Sequence, residues 1–136
     1  MFFSIVGHED LETTHVDVNQ AFLEVETDKT SYIRIPQGWP GYREGFVLKL
    51  NRALYGMRRS AYLWYKAASK FLLSIGFESC PADACLFRRL CSTGKTLILL
   101  HVDDFAIAAS SSNLIDQIVQ TKKRQRNGLA NQCESK

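Results

Sequence analysis

Two adjacent carboxylates, Asp103 and Asp104, lie between two apolar runs in the segment L-I-L-L-H-V-D-D-F-A-I-A-A. Burying a carboxylate is expensive unless something compensates its charge. Two side by side repel each other, and a bound cation is a natural compensation. A tight turn between the flanking strands would aim one or both at a single point. Magnesium prefers hard oxygen ligands and takes one or two carboxylates plus substrate phosphates, which is what two-metal phosphoryl transfer needs. The same dipeptide also reads as a solvent-exposed hairpin turn, because Asp is a common turn residue. A third carboxylate, Asp17, interrupts the apolar run of H-V-D-V-N-Q-A-F-L, with the aromatic Phe22 five positions further on. From a distant strand Asp17 would complete a metal site; taken alone, it reads first as a helix N-cap. The conjunction of the two motifs, with a loop and a helix between them, shifts the balance toward the metal site.

The elements that must position these residues follow from pattern. His15 to Val18 reads as a short strand, and Asn19 to Val25 as a turn or helical turn. Ser31–Ile35 and Phe46–Leu50 alternate and are β-rich, with P-Q-G-W-P-G between them, so they predict a hairpin with a long loop. Ala61, Trp64, Ala68, Phe71, Leu72 and Ile75 recur at helical spacing, with Ser60 as N-cap and Gly76 as C-cap. Cys85–Leu90 and Thr96–Val102 are β-like, and the second is apolar enough for a strand buried on both faces. Phe105–Ala109 is strand-like again. A last helix is expected from Ser112 or Asn113, carrying Leu114, Ile115 and Ile118. The expected fold class is α+β: an antiparallel sheet with the Asp103–Asp104 hairpin at its centre and helices packed on one face. Residues 1–120 form the expected domain, and residues 121–136 a basic tail without pattern.

Composition narrows the classes. The chain has 136 residues, 46% hydrophobic and 23% charged, which suits one globular domain. A net charge of +3 permits a polyanionic partner without demanding one. Basic residues pair at Arg58–Arg59 and Arg88–Arg89 and cluster at Lys122, Lys123, Arg124 and Arg126; such a terminal cluster is first of all a solvated tail. Cys80, Cys85, Cys91 and Cys133 contain no C-x-x-C pair, which argues against zinc. Met1–Val6 is apolar but short and has no basic residue before it, so neither a signal peptide nor a membrane span is expected. An intracellular protein, in cytoplasm or nucleus and without a membrane partner, is the expectation.

Three blocks, in order, resemble the reverse transcriptase of Ty1/copia-type retrotransposons. V-D-V-N-Q-A-F-L at Val16–Leu23 is similar to M-D-V-x-x-A-F-L, and is followed by Y-I-R-I-P-Q-G-W at Tyr32–Trp39. L-N-R-A-L-Y-G-M-R-R-S-A-Y-L-W-Y at Leu50–Tyr65 is similar to L-x-K-S-L-Y-G-L-K-Q-x-P-R-x-W, and L-L-H-V-D-D at Leu99–Asp104 to Y-V-D-D. The likeness covers residues 11 to 120. It implies a polymerase palm in which Asp17, Asp103 and Asp104 bind two Mg2+ (or Mn2+) ions. Phe22 would lie under the incoming sugar and disfavour a 2′-hydroxyl. Tyr55 and Gly56 would line the nucleotide and template side, and Arg58 and Arg59 would contact substrate. The implied partners are an RNA or DNA template with its primer, and deoxynucleoside triphosphates.

Departures from that pattern are specific. His101 stands where the family has Tyr; it could pack beside a primer or be an ordinary strand histidine. Arg59 replaces Gln, and Ala61 and Tyr62 replace Pro and Arg; none of these removes a metal ligand. Only 16 residues precede Asp17, where the family carries a basic fingers segment, and no thumb is recognised beyond residue 120. Phosphate contacts supply most non-specific affinity for nucleic acid. The expectation is therefore a truncated copy with little polymerase activity alone. Two other readings stay open: a non-catalytic nucleic-acid-binding or interaction module using the basic pairs and Tyr42, Tyr62 and Tyr65, and a different two-metal enzyme such as a nucleotide cyclase or nuclease.

Overall fold

The computed structural model describes residues 1–130, with side chains as far as Thr121. The basic side chains of Lys122, Lys123, Arg124 and Arg126, and Cys133, lie outside the described set. In chain order the elements are α1 (Phe2–Glu9), β1 (Glu12–Asp17), a 3-10 turn (Ala21–Glu24), β2 (Glu26–Arg34), β3 (Val47–Arg52), α2 (Ser60–Ser74), β4 (Glu78–Cys80), β5 (Asp83–Cys91), β6 (Gly94–His101), β7 (Asp104–Ala109) and α3 (Ser112–Ala130). The chain divides into two compact units, Met1–Val18 with Leu72 onward, and Asn19–Phe71.

The first unit is built on a five-stranded antiparallel sheet in the order β1-β7-β6-β5-β4. β6 is its middle strand because its run T-L-I-L-L can be buried on both faces: Thr96, Leu97, Ile98 and Leu100 are all buried. The expected central hairpin is therefore present as β6–β7, and the α+β class holds. β4 is a strand that pattern alone does not predict. It has three residues and owes its form to pairing with β5, through Glu78 opposite Arg88 and Ser79 opposite Phe87.

Residues that pair across antiparallel strands share a face. One face carries Leu86, Leu97, Leu99, Ala106 and Ala108, and α1 packs there through Phe2, Ile5 and Val6. Those three stand at i, i+3 and i+4, one stripe of a helix. The sequence pattern predicts no helix for this stretch. Asp10 closes it in the left-handed conformation, φ 48 and ψ 49, and the Leu11 N–H donates to Val6 O at 3.1 Å. Lys95 Nζ adds an ion pair to Glu9 at 2.6 Å. The opposite face carries Phe87, Ile98, Leu100, Phe105 and Ile107, all buried. α3 covers this face: a Cβ on Gly94 would meet Leu114 at 3.1 Å, and Leu114, Ile115 and Ile118 are buried as their spacing predicts. Helices thus flank both faces rather than the one expected, because α1 supplies a second apolar stripe.

In the second unit β2 and β3 form an antiparallel ribbon, from Ser31 opposite Leu50 to Arg34 opposite Val47. The ladder shifts between Glu26 and Ser31. α2 follows as predicted, with Trp64, Ala68 and Leu72 buried at helical spacing; its last residues, from Leu72, belong to the first unit. Its end is closed by Gly76 at φ 85. The Gly76 N–H donates to Leu73 O at 3.1 Å, and the Phe77 N–H to Leu72 O at 3.0 Å. This pair of bonds is the Schellman arrangement that a glycine permits. At the other end the buried Ser60 hydroxyl donates to Leu54 O at 2.6 Å, which ties the first residue of the helix to the preceding turn. Among the described residues no helix is long and apolar enough to cross a membrane.

Candidate active site

The three carboxylates singled out in the sequence lie at one end of the first unit's sheet. Asp17, the last residue of β1, is the direct cross-strand partner of Asp104, the first residue of β7. On the other side Asp104 pairs with His101, the last residue of β6. Asp17, Asp104 and His101 therefore form a row across three strands on one face. The Val18 N–H donates to Asp103 O at 3.0 Å, which ties the exit of β1 to the turn between β6 and β7. Two positions earlier on β1, and on the same face, His15 Nε2 lies 3.2 Å from Asp104 Oδ1.

The turn that carries Asp103 is two residues long. Its first residue, Val102, has φ 53, a region in which a β-branched residue is strained. Such outliers persist where surrounding structure over-determines them, and they cluster at functional sites. Val102→Gly is expected to raise stability by about 1 kcal/mol, since it removes the left-handed penalty at a glycine's smaller entropic cost. Thermal melting checks this; a lower melting temperature would count against strain at this turn.

The donor chemistry suits a hard divalent cation: Asp17 and Asp104 stand side by side at the strand ends and Asp103 lies in the adjoining turn, all offering carboxylate oxygens. Among the described residues, no three His, Cys, Asp or Glu side chains form a group that could hold a metal ion. The backbone therefore gathers the three carboxylates at one sheet end, whereas their side chains form no ready three-ligand cluster.

The remaining predicted site residues lie in the second unit. Phe22, in the 3-10 turn, is buried and its ring lies 4.5 Å from that of Tyr55, tilted by 54°. Tyr55 is 55% exposed, so of the two rings it is Tyr55 that is presented to solvent. Tyr55 and Gly56 are the central residues of a turn closed by the Met57 N–H donating to Leu54 O at 3.3 Å. Gly56 has φ 85 and open space where a Cβ would sit, so glycine is required there for conformation, not room. Arg58 is exposed. Arg59 pairs with Asp28 and lies over the Tyr62 ring at 5.4 Å, and Lys66 lies 5.6 Å from the same ring. Two features escaped the sequence reading: the His15–Asp104 contact and the Phe22–Tyr55 ring pair. The first was signalled only by a histidine two positions before Asp17; the second, across 33 positions, had no signal.

A sheet end bearing these carboxylates, and the motifs around it, define a class that comparison identifies. The chain belongs to the reverse transcriptase (RNA-dependent DNA polymerase) family, which it matches over residues 1–128. Its resemblance to the Ty1/copia type is borne out by relatives among transposon proteins. It is 30% identical over 117 residues to the retrovirus-related Pol polyprotein from transposon TNT 1-94 of Nicotiana tabacum, covering 85% of this chain and 9% of that protein. It is 34% identical over 103 residues to the Pol polyprotein from transposon RE1 of Arabidopsis thaliana, covering 74% of this chain and 7% of that one. The putative transposon Ty5-1 protein of Saccharomyces cerevisiae is 31% identical over 106 residues, covering 77% of this chain and 34% of its own length. The chain thus spans a small part of each relative. No solved structure gives a significant match.

Proposed function

We propose that this chain carries a palm-like reverse transcriptase core that joins deoxynucleotides to a primer on an RNA or DNA template. The observation that carries this reading is the register that puts Asp17 opposite Asp104, with Asp103 in the adjoining turn. Asp17, Asp103 and Asp104 would hold two Mg2+ or Mn2+ ions. Bound there, such ions lower the pKa of the attacking hydroxyl and offset the charge of the leaving pyrophosphate. The primer 3′-oxygen forms a bond to the α-phosphorus of a deoxynucleoside triphosphate, the bond to the β-phosphate oxygen breaks, and pyrophosphate departs. Tyr55, resting on Phe22, would line the nucleotide and template side together with Gly56, whose left-handed conformation sets the turn that presents the ring. Arg58 and Arg59 attract phosphates. Activity of the chain alone is expected to be weak, because affinity for nucleic acid scales with the number of phosphates neutralised.

Primer extension on an RNA template with Mg2+ or Mn2+ tests this, comparing the wild type with Asp103→Asn. Weak extension that disappears in the variant is the expected result. Folded wild-type protein without extension, or extension indifferent to the substitution, would defeat the reading. One observation favours a second possibility, a non-catalytic nucleic-acid-binding module: on the exposed part of α2 the Tyr62 ring has both Arg59 and Lys66 against it, a combination that suits stacking on single strands. It predicts binding without metal, unchanged by Asp103→Asn.

A further inference from the structure

The imidazole of His15 touches one carboxylate oxygen at the strand end where metal is proposed to bind. Its Nε2 lies 3.2 Å from Asp104 Oδ1, with side chains 62% and 40% exposed. The contact does not arise from direct pairing, since the cross-strand partner of His15 is Ala106 and that of Asp104 is Asp17. It is a diagonal reach along the face, made possible because residues two apart on a strand point the same way. A polar contact so open to water contributes little to stability, so holding the sheet together does not account for it.

Carboxylates that ligate metals are themselves held by hydrogen bonds from neighbouring groups, and loss of such a partner typically weakens metal affinity about 10- to 100-fold. We propose that His15 is a positioning residue for Asp104: an imidazole N–H donating to Oδ1 fixes the carboxylate and leaves Oδ2 to ligate a divalent ion. This inference rests on Asp104 being a metal ligand. His15 itself is no ligand, and its role is separate from the fold.

The test is Mn2+ affinity, measured without nucleotide from the free-ion electron paramagnetic resonance signal at one fixed pH, together with melting temperature. The full chain is compared with His15→Ala, His15→Gln and Asp104→Asn. The expected result is affinity about tenfold or more weaker in His15→Ala, with melting temperature nearly unchanged. Affinity should return close to wild type in His15→Gln, whose amide can donate in place of the imidazole. If Asp104→Asn weakens Mn2+ binding but His15→Ala does not, the positioning role is wrong while the metal site stands. If His15→Gln binds as poorly as His15→Ala, the orienting hydrogen bond is wrong. If the wild type does not bind Mn2+, or binds it equally without the Asp104 carboxylate, the metal-site reading fails and this inference with it.

Discussion

Asp104→Asn is expected to abolish metal-dependent extension while raising the melting temperature of the metal-free protein. The two effects have opposite signs because one carboxylate plays two parts. As the ligand proposed above it would contribute to a clamp worth several kcal/mol of charge stabilisation, and each 1.4 kcal/mol is a factor of ten in rate. A loss of roughly 1000-fold or more follows from those magnitudes. As a neighbour it stands directly opposite Asp17, and like charges in that position are destabilising by roughly 0.2–1 kcal/mol. Asn keeps the shape, removes the charge and still offers an oxygen to His15. Added Mg2+ should narrow the difference in melting temperature by stabilising the wild type alone, since a ligand stabilises only the state that binds it. A variant that loses both extension and stability would mean that Asp104 serves the fold rather than the site.

The parts of this molecule that were legible in sequence are those whose pattern is local. The apolar run of β6 marks a buried central strand, and Trp64, Ala68 and Leu72 mark the inward side of α2. Gly76 marks the end of that helix, and the conformation at its C-terminus bears this out. α1 was not legible because eight residues give barely two turns, and its stripe of Phe2, Ile5 and Val6 has meaning only against Leu86, Leu97 and Ala108. β4 was missed for a related reason, since three residues become a strand only beside β5. At the site, the residue types and their order pointed to three carboxylates, and the pairing of Asp17 with Asp104 is how the sheet brings two of them together. The contacts that refine the site depend on register. His15 reaches Asp104 across strands, and Tyr55 covers Phe22 from a turn far along the chain. Periodicity does not encode either.

Ile98→Ala is expected to destabilise the first unit by about 3 kcal/mol, within the range of 2–5 kcal/mol for such truncations in a close-packed core. Ile98 is completely buried in the middle strand, paired with Phe87 on one side and Ile107 on the other. Its neighbours belong to three strands and cannot all move in to fill the space, so the lost contacts add to the lost burial. Against a typical domain stability of about 5–15 kcal/mol, this is a large share. Urea denaturation should show a lower midpoint with an unchanged slope, the mark of altered stability rather than of an altered unfolded state. Ile98→Val, which removes one methylene, should cost only about 0.5–1.5 kcal/mol. Ile98 points to the face opposite Asp17, Asp104 and His101, so it can influence the carboxylates only through the strand that leads to their turn. Where the variant remains folded, at low temperature and without denaturant, its Mn2+ affinity should match that of the wild type. A loss of affinity in folded Ile98→Ala would instead mean that packing beneath β6 fixes the carboxylate turn, and that fold and site cannot be separated at this strand.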